Sequence, residues 1–200
     1  MSQRAPYLFE VGMLNRTPRS GFQFLGSGEQ SVSEHVHRVL HVAMLLARKS
    51  KPHVDELRLF RLVLFHDLPE ARTGDPNYVN RRYVHEDLEK LLDEGRHVWP
   101  EGEEIVACVH EFEAAETTEA RVAKDADQLE LLLMLKEQRD LGNPHVQDWI
   151  DISLQRLKTD AAKELAQEIQ ATRWDEWWFN DKNESHWVEG KKSRSGEFGT

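Results

Sequence analysis

The sequence predicts an all-α protein, and three observations carry the prediction. Apolar residues recur three and four positions apart in segment after segment, the period of an amphipathic helix. Helix-start signals precede those segments and Gly or Pro follows them, as at Ser31-Val-Ser-Glu34 and at Gly142-Asn143-Pro144. No stretch alternates apolar and polar residues as a half-buried strand does, and no repeat runs through the chain.

Residues 7–14 read as a short amphipathic helix. Asn15 to Gly28 reads as a loop, because Pro18, Gly21, Gly26 and Gly28 interrupt any period. Arg16, Arg19, Phe22 and Phe24 make it a binding-loop candidate, with a solvated connector as the plain alternative. Ser31 and Glu34 form a capping box that opens a helix to about Lys49. Its apolar side is Val32, Val39, Val42, Leu45 and Leu46, and His35 faces inward one turn before Val39. His37 and His41 project elsewhere, and an exposed pair is the simpler reading for them than a metal site.

Pro52 and Asp55 introduce a second helix, whose apolar residues at 59, 60, 62, 63, 64 and 65 predict burial nearly all round. It delivers His66 and Asp67 at its C-terminal end. Pro69 suits the first turn of a new short helix that Gly74 stops, which turns Glu70 back towards the His-Asp pair. Residues 81–95 read as a surface helix ending at Gly95, with Tyr83, Val84, Leu88, Leu91 and Leu92 as its apolar stripe. A helix after Pro100 turns Ile105, Val106, Val109 and Phe112 inward. Thr117-Thr118-Glu119 begins a longer one to about Leu141 that carries Asp125 and Asp127. Residues 146–158 and 160–171 read as two more. Trp174 to Phe179 forms an aromatic terminus, either capping the core or offering an interface. One domain over residues 1–179 is expected, followed by a polar tail, 180–200, expected to be disordered. The last residues of that tail, Ser195-Gly-Glu-Phe-Gly-Thr200, resemble a cloning remnant.

Composition narrows the function. Two hundred residues suffice for one sizeable core. The net charge of −10 argues against a general nucleic-acid binder, which needs a basic face, but leaves room for a small phosphate substrate neutralised locally. No apolar run reaches the length of a membrane span and no signal-peptide pattern opens the chain. The lone Cys108 excludes an intrachain disulfide and fits a reducing, cytoplasmic compartment, as a small buried apolar residue.

The His66-Asp67 dipeptide is weak on its own. With ten His and thirteen Asp, chance alone supplies roughly 0.65 such pairs, so the surroundings must decide. A buried helix end bearing an imidazole and a carboxylate needs partners, and a divalent metal is one. Asp127, inside an apolar helix, also needs a partner: a metal, or an ion pair with Lys124 or Arg121. Three helices thus offer inward ligands: His35, His66 with Asp67, and Asp127. Two imidazoles and two carboxylates suit one divalent transition metal (Mn, Co, Fe, Ni or Zn) better than Ca, and the thiolates of structural zinc are missing.

The order His35 … His66-Asp67 … Asp127 resembles the HD-domain metal-dependent phosphohydrolases. The chain is most similar to their 5′-deoxynucleotidase subgroup through Leu14 to Phe22, Ser31 to His35, His66 to Asp75 and Lys124 to Leu129. The resemblance spans roughly residues 7 to 170 in register. It implies an HD-type helical bundle, with metal ligation by His35, His66, Asp67 and Asp127. Glu70 then matches the acid that handles the attacking water and Asp75 a second acid at the site. Arg19 matches the loop arginine that approaches the phosphate and sugar. Phe22 is a candidate face for base or sugar, with loop packing the simpler reading; Ser20 stands where some members carry a Trp directly after the loop arginine, so the resemblance leaves substrate preference open. The implied activity is phosphate release from (deoxy)ribonucleoside 5′-monophosphates, and the implied assembly is a homodimer. His110 is a conceivable ligand for a second metal, with a surface role simpler. Arg72, Arg81 and Arg82 read first as solvated cations. Two other functions compete: an HD hydrolase acting on another phosphate ester or a nucleoside triphosphate, and a non-catalytic, metal-stabilised interaction module.

Overall fold

The computed structural model describes residues 4–179. The tail expected at 180–200 lies outside them. Among the described residues the chain is helical throughout, with a single isolated β-bridge between Pro18 and Ser31. Helix α1 (Arg4–Val11) runs into a 3-10 turn, Gly12–Asn15. The loop expected at 15–28 contains one helical turn, α2 (Phe22–Leu25), closed by Gly26 at φ 68°. Helix α3 (Val32–Lys49) opens on the predicted capping box: Ser31 Oγ accepts from Glu34 N at 3.2 Å, and Glu34 Oε2 accepts from Ser31 N at 2.7 Å.

Helix α4 (Glu56–Phe65) is capped by Asp55, and His66 is its C-terminal cap residue. The short α5 (Glu70–Thr73) follows, stopped by Gly74 at φ 77°. The surface helix starts later than expected, as α6 (Leu88–Val98). Asp87 is its N-cap, accepting from Lys90 N at 3.1 Å, so residues 79–87 are irregular apart from a 3-10 turn at Asn80–Arg82. Tyr83 and Val84 are accordingly exposed instead of joining the stripe of Leu91 and Leu92. Gly95 does not end α6. It lies inside the helix, where a side chain would run into the Trp99 ring.

Helices α7 (Gly102–Ala114), α8 (Thr118–Asp140), α9 (Gln147–Arg156) and α10 (Asp160–Ala171) complete the fold. Helix α8 is the axis: α3, α4, α7, α9 and α10 all pack against it. Its Ala120, Ala123, Ala126, Leu129, Leu132 and Leu135 build the main core with Val39, Leu46, Leu59, Leu62 and Ile150. A smaller cluster joins Leu14, Val32, Leu68, Leu92, Trp99 and Ile105 beneath α6 and α7. Cys108 is a buried free thiol, as expected.

Two expectations about burial fail for one reason. Leu45 on α3 and Leu64 on α4 are each 49% exposed, because no other element among the described residues covers the apolar face that each stands on; Leu64 lines an apolar groove between α3 and α4 that opens to solvent. The helical period counts apolar residues without saying whether the face they form is covered. In the aromatic terminus Trp177 is 82% exposed, while Phe179 is half-buried. No helix among the described residues is long and apolar enough to cross a membrane.

Candidate metal centre and active site

Three helices bring their side chains to one point between the two cores. His35 comes from the second turn of α3, His66 and Asp67 follow α4, and Asp127 comes from the first half of α8. Ligand atoms of His35, His66 and Asp127 all lie within 4.8 Å of one another. Asp67 Oδ2 is 3.6 Å from His35 Nε2 and 3.2 Å from His66 Nε2, and Asp127 Oδ1 is 3.2 Å from His35 Nε2. The four residues that the resemblance implied as ligands therefore converge.

Both imidazoles are held from behind. His66 Nδ1 donates to Val63 O at 2.7 Å, and His35 Nδ1 lies 2.5 Å from Glu130 Oε2. That leaves each Nε2 facing the cluster, the arrangement in which a histidine presents its lone pair to a metal. His35 Nε2, His66 Nε2 and Asp67 Oδ2 are all buried without a hydrogen-bond partner among the described residues. Buried polar atoms left unpaired in this way are costly. Three converging on one point, from nitrogen and oxygen donors, fit a divalent cation.

Glu130 is the residue the sequence reading passed over. It is 1% exposed and also accepts from Arg38 Nε at 2.9 Å and Gln30 Nε2 at 2.7 Å. Its position three residues after Asp127, on the same helix face, was the available signal. Asp125, by contrast, faces away and is structural. It accepts from Lys158 N, Thr159 N and Thr159 Oγ1 at 2.7–2.9 Å and so holds Thr159, the N-cap of α10, in place.

The remaining acids and Arg19 surround the cluster. Arg19 NH1 is 3.6 Å from Asp67 and 3.7 Å from Asp75. The loop carrying it is tied to α3 by Arg19 N to Gln30 O and Val32 N to Thr17 O, and to Asp75 by Ser20 N at 3.0 Å. Burial works against the guanidinium charge, but Asp67 and Asp75 keep it firmly protonated. Burial and the charges of Asp67 and Asp75 push the Glu70 carboxyl up to about 10. Burial and Arg19 push His35 down, yet Asp127 and Glu130 prevail and raise it to about 9, so a cation bound at Nε2 would take the place of a proton there. Burial also opposes ionisation of Asp67, but His66, His35 and Arg19 hold it well below the usual carboxylate range.

A cavity of about 340 Å³ opens beside Glu70, lined also by His66, Asp67, Thr73, Arg81 and His85. Arg81 thus reaches the site, while Arg72 is taken up by Glu10 and Glu94 and stacks on Trp99. Phe22 lines a second cleft together with Arg19 and Asp75. His110 stands apart, 4.0 Å from Glu89 and outside the ligand group. His37 and His41 are exposed and pack ring to ring, as expected of a surface pair.

A family model described as HD domain matches residues 11–171. The 5′-deoxynucleotidase HDDC2 of Bos taurus is 30% identical over 175 residues, covering 84% of each chain. A conserved hypothetical protein from Pyrococcus furiosus has a solved structure similar to this one, with a TM-score of 0.73 at 24% identity, over 84% of this chain and 99% of that one. A predicted metal-dependent phosphohydrolase from Magnetospirillum magnetotacticum gives 0.66 at 24% identity, over 84% of this chain and 89% of that one. At these identities the two structures speak for the fold.

Proposed function

The chain belongs to the HD-domain family, and from that premise we propose a divalent-metal-dependent phosphohydrolase that releases phosphate from (deoxy)ribonucleoside 5′-monophosphates. Residues 1–179 form its single HD domain. The observation that carries the reading is the convergence of His35 Nε2, His66 Nε2 and Asp67 Oδ2, buried and unpartnered, beside Asp127. These four residues hold one divalent transition metal, with Mn, Co, Fe, Ni and Zn all suited to the donor set. A bound ion of this kind polarises a phosphoryl oxygen and makes water a better nucleophile near neutral pH.

The chain's own groups do the rest. Glu130 and the Val63 carbonyl fix the two imidazoles so that each Nε2 faces the centre. Glu70 Oε2, buried and unpartnered, is the proton-handling group: raised by burial and its acidic neighbours, it is set to give a proton to the leaving 5′-oxygen, and its ionised form would take one from attacking water. Arg19 offers its planar fork to the phosphate. Asp75, the second acid, holds the Arg19-Ser20 backbone in reach of the centre. Phe22 sits beside Arg19 and serves as part of the face for base or sugar. A nucleotide substrate fits a cytoplasmic location. A homodimer is supported by the apolar groove between α3 and α4, where Leu57 and Leu64 are exposed and Met44 and Phe60 half-buried, since solvent-facing patches of this kind mark association surfaces.

The test is a panel of deoxy- and ribonucleoside monophosphates, triphosphates and simple phosphate esters, with released phosphate measured for the metal-loaded protein. Selective turnover of the 5′-monophosphates is expected. Turnover confined to triphosphates or to other esters would favour the competing hydrolase reading, and no turnover at all the interaction module.

A further inference from the structure

A cavity of about 640 Å³ lies between the C-terminal end of α7, the first half of α8 and the link from α9 to α10. Four cations line it: Arg121 and Lys124 from α8, Arg156 from the last turn of α9, and Lys158 from the link. None of its lining residues belongs to the metal cluster. Gln128 stands between the two, with its Nε2 3.3 Å from Asp127 Oδ2 and its Oε1 3.5 Å from Arg156 NH1.

In a chain of net charge −10 this is a local inversion of sign. The one acid among the lining residues is Asp125, and its oxygens are taken by Lys158 N and by Thr159 N and Oγ1. The cations have few other partners. Lys158 Nζ makes no hydrogen bond or ion pair among the described residues, and Arg121 uses only Nε, on the Ala115 carbonyl at 3.3 Å. Arg156 makes only the long contact with Gln128, and Lys124 alone has an ion pair, with Glu113 at 2.8 Å. The neighbouring cleft, across Lys158 and Thr159, differs: there Lys49 lies 3.6 Å from both Glu164 and Glu168. Cations gathered on low-dielectric walls focus a positive potential that draws anions. Guanidinium forks grip phosphate oxygens in pairs, and a lysine adds a point charge. The volume is that of a pocket for a small organic ligand.

We propose that this cavity is a second anion site, separate from the metal centre, for a small phosphate-bearing ligand. Arg121 and Arg156 hold the phosphate oxygens from α8 and α9, and Lys158 supplies charge between them. The ligand is an organic phosphate, since inorganic phosphate alone fills only a small part of the space. The site binds without chemistry, so it stands whether or not the centre hydrolyses nucleotides.

Trace acetylation of the full, metal-loaded chain, read lysine by lysine with mass spectrometry, tests it at the cavity itself, because no lysine lies among the residues of the centre. Inorganic phosphate and adenosine 5′-diphosphate are titrated in turn at constant ionic strength, with chloride as the control anion. Lys158 should be protected saturably by both phosphates and not by chloride, while the reactivity of Lys90 on α6 stays constant. Arg121→Gln with Arg156→Gln removes two exposed side chains on which the core does not depend. Each charge-assisted bond corresponds to about ten-fold or more in affinity, so the concentration giving half-protection of Lys158 should rise at least ten-fold in that variant. Tighter protection by the diphosphate assigns the organic ligand, and protection by inorganic phosphate as tight or tighter assigns the free ion to the same site. Lys158 left unprotected, protected equally by chloride, or protected as well in the variant as in the wild type overturns the site.

Discussion

Replacing Glu130 with Gln changes one oxygen for one NH2 and disturbs the centre without touching a proposed ligand. The native carboxylate accepts on both sides: from His35 Nδ1 at Oε2, and from Arg38 and Gln30 at Oε1. An amide has one acceptor and one donor end, so it can satisfy only one side. If its oxygen faces Arg38 and Gln30, its NH2 faces His35 Nδ1 and favours the tautomer that puts a proton on Nε2, where the metal ligand should be. If its oxygen faces His35, its NH2 is pressed against a guanidinium. Loss of such a support behind a ligand costs 10–100-fold in metal affinity, or about 1.4–2.8 kcal/mol. Removing the buried charge also destabilises the fold by about 3 kcal/mol, the low end for a broken buried pair because Arg38 keeps Glu137. For a domain of this size that is a drop of roughly 6–12 °C in Tm. Competition against a chromophoric chelator reads the affinity, and calorimetry of the metal-free protein reads Tm. An affinity within threefold of wild type and a Tm within 2 °C would refute the reasoning.

Other perturbations separate chemistry from architecture. Glu70→Gln should keep full metal stoichiometry while kcat falls by about 10²–10⁴, the usual contribution of a proton-transfer group; metal analysis on the assayed sample checks both halves. Asp125→Ala removes three hydrogen bonds at the start of α10 and should lower stability by about 3 kcal/mol while leaving metal affinity intact, read by denaturant titration and chelator competition. Burial opposes ionisation of Glu111, but hydrogen bonds from Thr117 and Arg58 hold its folded value below the ordinary 4.5. A depressed acid adds stability that is present above its unfolded value and is lost as pH falls through its folded value. Glu111→Gln should therefore lessen the decline of stability below pH 4.5, and an acid-unfolding curve with the same slope as wild type would contradict this.

The sequence revealed what is local and periodic. The capping box at Ser31 set the phase of α3 and so turned His35 inward. The apolar run ending at His66 and the helix around Asp127 were visible for the same reason, since each follows from spacing within one helix. The start of α6 was misjudged because the apolar spacing of Tyr83 and Val84 continues that of Leu88, while the Asp87 cap decides where the helix begins. Leu45 and Leu64 were misjudged because periodicity finds an apolar face but not what covers it. Glu130 was hidden as one more acid in an acidic chain until its contacts with His35, Arg38 and Gln30 appeared.

The most direct test of the central claim is phosphate release from a deoxyribonucleoside 5′-monophosphate, followed on one sample through chelation and metal return, beside a His66→Ala variant. Turnover should disappear on chelation, return with Mn or Co, and be absent in the variant because it no longer retains the ion. Turnover that survives complete metal removal, or that persists in His66→Ala at the wild-type rate, would contradict it.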